Sequence, residues 1–500
     1  MLSYRPILLL ISAAVLSACA VGPDYRRPDV PLSQSYMTQP PAAKAATTAS
    51  ADLSAWWEGF NDPLLTHYVS VALSQNLDLA QAVARIDQAR TRVGTATAAL
   101  LPSATASASA ARAYQSVDTP VGQLLDATPG YNRWGSEYET NLDAGWEIDI
   151  FGGLRRQREA ALADYSATQA AAVATRLAVA AQTADIYVTV RGLQARLDIT
   201  NRQVKTQEEL LADVQLLYSK GAAADYQVQQ AQGTLDQVRA TVPVLNAGLD
   251  AALNALDVML GSPPGTHRAE LLTAAPIPAA PSVSDMGTPA DLLQRRPDLI
   301  AAERHLAAAN ARIGAAISEY YPTVSLNALL GSATAAGTGT LFTGGASQIA
   351  GLVGLRWRLF DFARINADVS EAKGVNAEAL AGYRLAVLRA TEDVENSLSS
   401  LVNRESQAAT LSHAESSLSK ARDSSMAAYR GGAASFIDVL HADDTLLRAS
   451  DARAQAQTES ARAAIATFKA LGGGWNPEPV QAKQPPSARS AGKNTVPDRA

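Results

Sequence analysis

The sequence predicts a mainly α-helical protein with a small β portion, built from a duplicated unit of long antiparallel helices plus two strands. Three observations predict this fold class. Residues of the first half recur in the second half at constant offsets, two very long stretches contain no proline, and short segments alternate between apolar and polar side chains. The chain therefore carries two copies of one structural unit.

Two sets of residues mark the duplication. The first set recurs at one constant offset: Trp146, Phe151, Tyr218, Gly221 and Leu260 return as Trp357, Phe362, Tyr429, Gly432 and Leu471. The second set recurs at a slightly larger offset: Asp78, Leu79, Arg92 and Pro102 return as Asp298, Leu299, Arg312 and Pro322. The first half thus has extra residues between Pro102 and Trp146, as expected when two repeats differ by an insertion in one loop.

Composition limits the classes of function. With 18% charged and 6% aromatic residues, the chain is poorly suited to bulky globular cores, and its abundant alanine favours closely packed helices. The net charge of -6 and the lack of a basic stripe in the sequence argue against nucleic-acid binding. The sequence has no clustered His or Cys ligands, no phosphate-binding loop and no catalytic motif, so we expect no enzymatic activity, metal or cofactor.

Residues 1–18 have the layout of an export signal, with Arg5 in a polar start, an apolar run, and small residues before the single cysteine, Cys19. The string LSAC resembles a bacterial lipobox, which implies cleavage before Cys19 and acylation of that residue. Ala20 follows it in place of the Asp associated with inner-membrane retention, which implies sorting to the outer membrane. An ordinary signal with an incidental cysteine is the alternative. We expect residues 19–60 to form a lipidated, extended N-terminal segment.

The first repeat is expected at residues 61–262. Helical periodicity runs from 62 to about 100, followed by a strand hairpin at about 102–150 and a long helical hairpin at 154–260. In the hairpin, residues 103–110 alternate between hydroxyl side chains and alanine. The stretch 139–150 alternates more strongly, because its even positions from 142 onward are apolar and its odd positions are mostly polar. Its apolar side chains are Leu142, Ala144, Trp146, Ile148 and Ile150.

A Pro-rich connector at 263–288 leads to the second repeat, expected at residues 289–474. This repeat has a helix, a strand hairpin at about 322–361 and a long helical hairpin at 364–470, and the polar tail at 475–500 is expected to be disordered. Each long helix ends in a glycine-containing turn. We expect Gly221, Gly431 and Gly432 to adopt the left-handed conformation that ends a helix.

Strands of about ten residues with alternating faces and an interfacial tryptophan are typical of outer-membrane barrels. A half-buried sheet in a soluble sandwich has the same period. Four strands are too few to close a barrel, and an open edge in lipid leaves backbone groups unpaired, so several chains must close it together. A trimer supplies 12 strands over a helical cylinder. A dimer also closes, but its bore is largely filled by side chains.

Several longer motifs are present. They are VGPDY after the lipobox, AWW from Ala55, LLQRRPDLIAAERHLAAANARIGAA from Leu292, WEIDIFGG from Trp146, and the turns after Tyr218 and Tyr429. Together they resemble the outer-membrane factor family of tripartite (RND-type) efflux systems, in its NodT-type lipoprotein branch, over nearly the whole mature chain. The resemblance implies a homotrimeric duct with a 12-stranded outer-membrane β-barrel over a periplasmic α-helical barrel. It also implies two partners, a periplasmic adaptor (membrane fusion protein) and an inner-membrane transporter of the RND type.

The resemblance further implies a periplasmic gate near the helix turns. The string AYRGGAASFIDVLHA from Ala428 resembles the segment in which acidic residues ring the constriction. Asp438 matches the first acidic position, and His441 stands where a second Asp often stands. The other gate candidates are Asp225, Tyr218 and Tyr429, and the turns expected to contact the adaptor contain Gly221, Ala222, Gly431 and Gly432. The alternatives are interaction of Asp438 and Asp225 with the positive helix start, and packing for the tyrosines.

The expected pore lining is an acidic strand face in three copies, formed by Glu139, Asp143, Glu147 and Asp149. Such rings favour cations, although Arg356 and Arg358 on another strand oppose the effect. The predicted location is the outer membrane, in contact with its lipid, with an anchor at Cys19 and an extension into the periplasm. A periplasmic adaptor and a lipid-anchored coiled-coil rod are the alternative functions. The duplicated hairpin argues against the first, and the amphipathic strands argue against the second.

Overall fold

In this computed structural model, the described residues are 20–38, 53–281, 283 and 286–476. The predicted export signal, the predicted acylation site Cys19 and most of the predicted tail, from 477 onward, lie outside the described residues. The two halves of the described chain contain the same kinds of element in the same order, two strands followed by a pair of very long helices.

The first half begins with a helix broken into two parts. Its elements are α1 (Pro63–Gln75), α2 (Leu77–Ala98), β1 (Ser103–Tyr114), the short α3 (Pro120–Asp126), β2 (Trp134–Ile148), α4 (Gly153–Ser219) and α5 (Asp225–Met259). A 3-10 helix, Leu53–Phe60, precedes α1, and a second one, Arg268–Leu271, follows α5.

The prediction of one continuous helix from 62 to 100 was wrong at Asn76, which has extended backbone angles (φ -62°, ψ 133°). Its side-chain oxygen accepts hydrogen bonds from the backbone N–H of Asp78 at 2.9 Å and of Leu79 at 3.3 Å. Its amide nitrogen donates to the carbonyl of Met259 at 2.9 Å. Asn76 therefore ends α1, caps α2 and ties both to the end of α5.

The second half has α6 (Leu292–Arg295), α7 (Pro297–Ser318), β3 (Thr323–Thr334), β4 (Ser347–Arg356), α8 (Phe362–Arg430) and α9 (Phe436–Ala470). Short 3-10 helices lie at Pro289–Asp291 and Thr338–Thr340. At a rise of about 1.5 Å per residue, α4 and α8 are each about 100 Å long. They are far too long for a compact domain and pack side by side with α5 and α9.

The strands form one sheet in the order β1-β2-β3-β4, and every neighbouring pair is antiparallel. The central pair, β2 with β3, joins the two halves of the chain. The described strands thus form one sheet and not the two packed sheets of a soluble sandwich, which was the alternative. Its outer strands, β1 and β4, each have one edge without a partner strand in the described chain.

Among the described residues, the helices share two main hydrophobic cores, besides a small alanine cluster between α4 and α7. The larger core lies where α1, α4, α5, α7, α8 and α9 meet, and there Trp56 stacks on Phe468 with ring centroids 5.5 Å apart. The smaller core lies near the ends of the helical hairpins. Its buried members are Leu210, Leu211, Val214, Ala231, Leu235, Phe436, Val439 and Leu440.

None of the described helices combines the length and apolar character needed to cross a membrane.

Candidate functional site

The sheet has one polar face, set by its register. Asp143 pairs with Thr105 and Leu329, and Glu147 pairs with Ser325, so the odd-numbered residues of β2 share a face with odd-numbered residues of β1 and β3. The polar and charged side chains on this face are Ser103, Thr105, Ser107, Ser109, Glu137, Glu139, Asn141, Asp143, Glu147, Thr323, Ser325, Asn327, Gln348 and Arg356.

A hydrogen-bonded group crosses this polar face. Asn141 donates to Glu139 Oε1 at 2.6 Å, and Gln348 of β4 donates to Asn141 Oδ1 at 2.7 Å and to Glu139 Oε1 at 3.2 Å. Three of the predicted acidic residues, Glu139, Asp143 and Glu147, lie on this face. This face of the sheet therefore exposes carboxylate and amide groups.

The opposite face is apolar and exposed. Its large exposed members are Tyr114, Trp134, Leu142, Trp146, Leu326, Leu330, Ile349, Val353 and Leu355. Two tryptophans border this face at the end nearest the long helices. Trp146 donates through Nε1 to the carbonyl of Leu100, and Trp357 donates to the carbonyl of Tyr320, both at 3.0 Å. An exposed apolar face of this size, bordered by tryptophans, is suited to contact with lipid.

The prediction that Asp149 belongs to the acidic strand was wrong, because β2 ends at Ile148. Its carboxylate accepts hydrogen bonds from the backbone N–H of Leu154 at 3.1 Å and of Arg155 at 2.8 Å, and from Arg155 Nε at 3.2 Å. Asp149 therefore stabilises the first turn of α4, where the helix dipole favours a negative charge.

The placement of Arg358 on a strand was also wrong, because β4 ends at Arg356. Arg358 pairs with Glu319 at 3.1 Å and with Asp361. Its charge is therefore compensated beyond the strand, and of the two predicted arginines only Arg356 lies on the polar face.

The turns at the tips of the two helical hairpins are alike. Gly221 has φ 72° and Gly432 has φ 74°, both in the left-handed region as expected. Behind them, Ala222 donates to the carbonyl of Leu217, and Ala433 donates to the carbonyl of Ala428, both at 2.8 Å. These hydrogen bonds form the Schellman motif. Gly431 differs from the prediction, since its φ of -84° is ordinary for a helix end.

Asp438 lies in the first turn of α9 and is exposed. Its Oδ2 accepts hydrogen bonds from the backbone N–H of Ser435 at 2.9 Å and from its hydroxyl at 2.7 Å, while Ser435 Oγ accepts from the Asp438 N–H at 3.3 Å. These hydrogen bonds from Ser435, with His441 nearby, hold the pKa of Asp438 below its ordinary value. Asp438 thus caps α9 as half of a capping box and still presents its charge to solvent.

The other gate candidates take different positions. His441 is exposed one turn after Asp438, and Asp225 is exposed at the start of α5. Tyr429 packs on Phe436 with ring centroids 5.8 Å apart, and its burial, with Asp213 nearby, raises its pKa. Tyr218 is 49% exposed. Packing against neighbouring side chains therefore accounts for Tyr429 but not for Tyr218, its counterpart in the first repeat.

Sequence reasoning missed a group of buried polar side chains above the tips. Asp443 is 1% exposed, and its Oδ1 accepts a hydrogen bond from Arg422 Nε at 2.8 Å while its Oδ2 has no partner among the described residues. Gln207 of α4 is also 1% exposed, with both amide atoms unpaired in that part of the chain. The available signal was the helical spacing of Phe436, Leu440 and Asp443, which places Asp443 on the apolar face of α9.

A sheet with one apolar and one polar face, continued by two hairpins of very long helices, defines a subunit of an outer-membrane channel. The family model described as outer membrane efflux protein matches residues 68–262 and 288–473. The chain belongs to this family.

Individual relatives agree with the family assignment. Nodulation protein T of Rhizobium leguminosarum bv. trifolii is 30% identical over 93% of this chain and 96% of its own length. Outer membrane protein OprJ of Pseudomonas aeruginosa is 31% identical over 93% of this chain and 95% of its own length. The solved outer-membrane channel OprN is 31% identical and superposes with a TM-score of 0.81 over 91% of this chain and 100% of its own.

These findings confirm the predicted fold class, that of the family's trimeric channels, with long helices and four antiparallel strands per chain. They also confirm the resemblance and the function. The protein is an outer-membrane efflux channel that extends into the periplasm. Its relatives are channel proteins, and the adaptor and structural-rod alternatives are not supported.

Proposed function

We propose that three copies of this chain close a 12-stranded barrel and form a passive exit duct. A periplasmic adaptor and an inner-membrane transporter of the RND type deliver the substrates to it. The observation that supports this proposal is the sheet, which has opposite apolar and polar faces and two edge strands, β1 and β4. Because unpaired backbone groups are costly in lipid, β1 of one copy pairs with β4 of the next. In a barrel closed by this pairing, the polar face of the sheet lines the bore and the apolar face contacts lipid.

We assign the adaptor contact to the tips of the helical hairpins. Gly221, Ala222, Gly431 and Gly432 lie there on exposed turns between α4 and α5 and between α8 and α9. The backbone of the turns is fixed by Schellman hydrogen bonds, so each tip offers a preformed surface. Gating is assigned to the same region, with Asp438, His441 and Asp225 as exposed charged or titratable groups and Tyr218 and Tyr429 at the ends of the long helices.

Acylation at Cys19 is supported by the position of the residue after it. The N–H of Val21 donates to the carbonyl of Phe151 at 3.1 Å, and Arg156 donates to the carbonyls of Val21 and Gly22, both at 3.2 Å. Ala20 packs so closely that a Cβ on Gly152 would lie 2.8 Å from its Cα. The described N-terminal segment thus begins at Ala20, beside the junction of β2 and α4 at the tryptophan-bordered end of the sheet, which supports a lipid anchor on the preceding residue.

The polar sheet face is assigned to the bore and to a preference for cations. Trimer closure repeats Glu139, Asp143 and Glu147 three times around the bore, whereas Arg356 is the one basic side chain among the described residues of that face. Rings of carboxylates raise the local concentration of cations. In planar bilayers, a reversal potential showing anion preference contradicts this assignment.

Closure by three copies is tested by disulfide formation between strands. β1 and β4 are opposite edges of a four-stranded sheet, about 14 Å apart at a strand spacing of about 4.8 Å, so a disulfide within one chain cannot form. Cysteines at Ala106 of β1 and, one at a time, at Ile349, Gly351 or Val353 of β4 all lie on the apolar face. We expect one pairing to give covalent trimers in outer membranes. Cysteines at Ala106 and Leu142, both within one chain, are the control for intramolecular bonding, because these positions pair directly.

A covalent dimer as the largest product, or no covalent product at any pairing, contradicts the trimeric barrel. Adding an adaptor and transporter of the same genome to reconstituted trimer tests the partner assignment separately. Failure of capture would contradict the partners without affecting the barrel.

A further inference from the structure

Two arginines stack on two aromatic rings at the end of the sheet farthest from the long helices α4 and α8. The Arg112 guanidinium lies over the Trp134 ring at 5.2 Å, and the Arg133 guanidinium lies over the Tyr114 ring at 4.2 Å. The two rings contact each other, with centroids 5.1 Å apart. We call these four residues the outer-rim cluster.

The cluster lies on the lipid-facing side of the sheet. Tyr114 pairs with Trp134 and Arg112 pairs with Ser136, in the same register that places Leu142 and Trp146 on the apolar face. Trp134 and Trp146 are separated by about 40 Å along β2 at about 3.3 Å per residue, or about 30 Å across the membrane at a strand tilt of about 40°. This distance matches the thickness of a bilayer's hydrocarbon core, about 30 Å. The cluster therefore lies at the outward-facing headgroup region.

Among the described residues, no carboxylate compensates the positive charges of the cluster. Within the described ranges, neither Arg112 nor Arg133 belongs to an ion pair. Arg133 donates through Nε to the carbonyl of Gln115 at 3.0 Å, which leaves its terminal nitrogens free to donate elsewhere. The acidic residues of the adjoining loop, Asp118 and Asp126, form no described ion pair with either arginine.

A neighbouring copy does not supply the missing charge either. Closing the barrel places β4 of the next copy beside β1, and the segment 321–355, which contains β3, β4 and the loop joining them, has no charged residue. Strand pairing uses the backbone groups of the edge and leaves the side chains of the lipid face exposed. Two guanidinium groups without an ion-pair partner in the described part of the chain thus remain at the lipid surface after assembly.

We propose that the outer-rim cluster binds the phosphate of an anionic lipid headgroup in the outward-facing leaflet. A planar guanidinium donates two parallel hydrogen bonds to a phosphate, and stacking on an aromatic ring holds it in place for that contact. Trp134 and Tyr114, 52% and 53% exposed, supply the apolar surface for the adjacent acyl chains. The proposal depends on the membrane orientation of the proposed barrel, in which this end of the sheet points outward.

The test uses the full-length trimer in detergent, titrated with diphosphoryl lipid A as the probe and followed by native mass spectrometry. The test variant is Arg112→Gln with Arg133→Gln. Arg356→Gln is the matched control, since it makes the same change on the opposite face of the sheet. Dephosphorylated lipid A distinguishes headgroup binding from apolar contact, and competition by excess inorganic phosphate distinguishes a lipid site from a free-phosphate site.

We expect the wild type and Arg356→Gln to retain diphosphoryl lipid A and the double variant to bind it about tenfold more weakly, the loss expected from charge-assisted hydrogen bonds. Arg112→Lys with Arg133→Lys should bind at an intermediate level, because it keeps the charge and loses the bidentate geometry. Equal retention by wild type and double glutamine variant, equal retention of the dephosphorylated lipid, or full displacement by inorganic phosphate overturns the proposal. Single-channel conductance of the double variant shows separately whether the barrel still forms.

Discussion

Arg422 of α8 donates through Nε to Asp443 Oδ1 of α9 at 2.8 Å, joining the two helices of the second hairpin above its tip. Arg422 also pairs with Asp423 at 3.2 Å, so it keeps a partner if Asp443 is changed. The carboxyl of Asp443 is buried and one of its oxygens has no partner in the described chain. This pair therefore combines a bond between helices with an incompletely satisfied buried charge, an arrangement that costs free energy when the carboxyl is ionised.

We expect the stability of the helical hairpin to depend on the ionisation of Asp443. Burial raises the pKa of this carboxyl above its ordinary value, against the lowering effect of Arg422. A carboxyl with a raised pKa binds its proton more tightly in the folded state, so its stabilising effect is present at low pH and is lost as the pH rises through the folded pKa. Asp443→Asn does not titrate. The melting temperature of Asp443→Asn relative to wild type should therefore increase between pH 4 and pH 7.

Asp423→Asn is the matched control for this measurement, because Asp423 pairs with the same arginine but is exposed. Its melting temperature relative to wild type should change much less over the same pH range. A difference between Asp443→Asn and wild type that is constant or decreases with pH would contradict the assignment of a raised pKa.

Asp438 can act in the gate through its negative charge or through capping of α9, and two substitutions distinguish these roles. Asp438→Asn removes the charge and keeps an acceptor for Ser435, whereas Ser435→Ala removes the capping hydroxyl and keeps the carboxylate. If the charge closes the gate, Asp438→Asn and Asp438→Ala raise single-channel conductance and Ser435→Ala does not. If capping alone matters, Ser435→Ala and Asp438→Ala destabilise the first turn of α9 and neither changes conductance.

His441 is a second exposed gate candidate on α9 and is tested in the same way. If the side chain of His441 contributes to closure, His441→Ala should raise single-channel conductance as Asp438→Ala does. Conductance that stays the same in both Asp438→Ala and His441→Ala would exclude both residues from the gate.

The tip turns give a prediction about adaptor capture. Gly432 has a positive φ and no atom near the position of an added Cβ, so Gly432→Ala strains the backbone without a steric clash. A left-handed alanine costs about 1–2 kcal/mol. Gly431→Ala is the matched control, because Gly431 has a negative φ and ordinary contacts at 3.5 Å and 3.6 Å. We expect faster hydrogen exchange around residue 432 and weaker adaptor capture for Gly432→Ala alone; equal effects in the two variants would argue against a preformed turn.

The sequence was most informative where a residue's surroundings follow from its local spacing. The two faces of the sheet follow from period-two alternation, and the helix ends at Gly221 and Gly432 follow from residues that tolerate a left-handed backbone. Alternation also misled, since Asp149 continues the pattern of β2 in sequence although hydrogen bonds to the backbone of α4 place it outside the strand. The break at Asn76 contains neither proline nor glycine and depends on a contact with the distant Met259.

Burial of Asp443 was not predicted for a related reason. It depends on the packing of α4, α8 and α9 against one another, and the spacing of apolar residues in α9 shows a face without showing how far the partner helices cover it. The outer-rim cluster likewise needs the register between β1 and β2, which brings Arg112 beside Trp134 across a loop that the first half alone carries in its longer form.

Close contact between the two repeats gives a final prediction, at Gly192 in the middle of α4. A Cβ there would lie 2.7 Å from Thr458 Cγ2 of α9 and closer still to its Oγ1, so Gly192→Ala overpacks the helix contact by about 1–3 kcal/mol. Gly248→Ala is the matched control, since its Cβ would lie 3.5 Å from Leu193 Cδ2 and the change favours the helix by about 1 kcal/mol. The melting temperature should fall for Gly192→Ala and rise for Gly248→Ala.

Thr458→Ala should restore much of the stability lost in Gly192→Ala, because it removes the two nearest atoms that the new methyl group meets and leaves only Thr458 Cβ, at 3.1 Å. The two single changes are then non-additive, as expected for residues in direct contact. If Gly192→Ala and Thr458→Ala add independently, the helices separate enough in the assembled channel to accept the methyl group, and the close approach of α4 to α9 is not what requires glycine at this position.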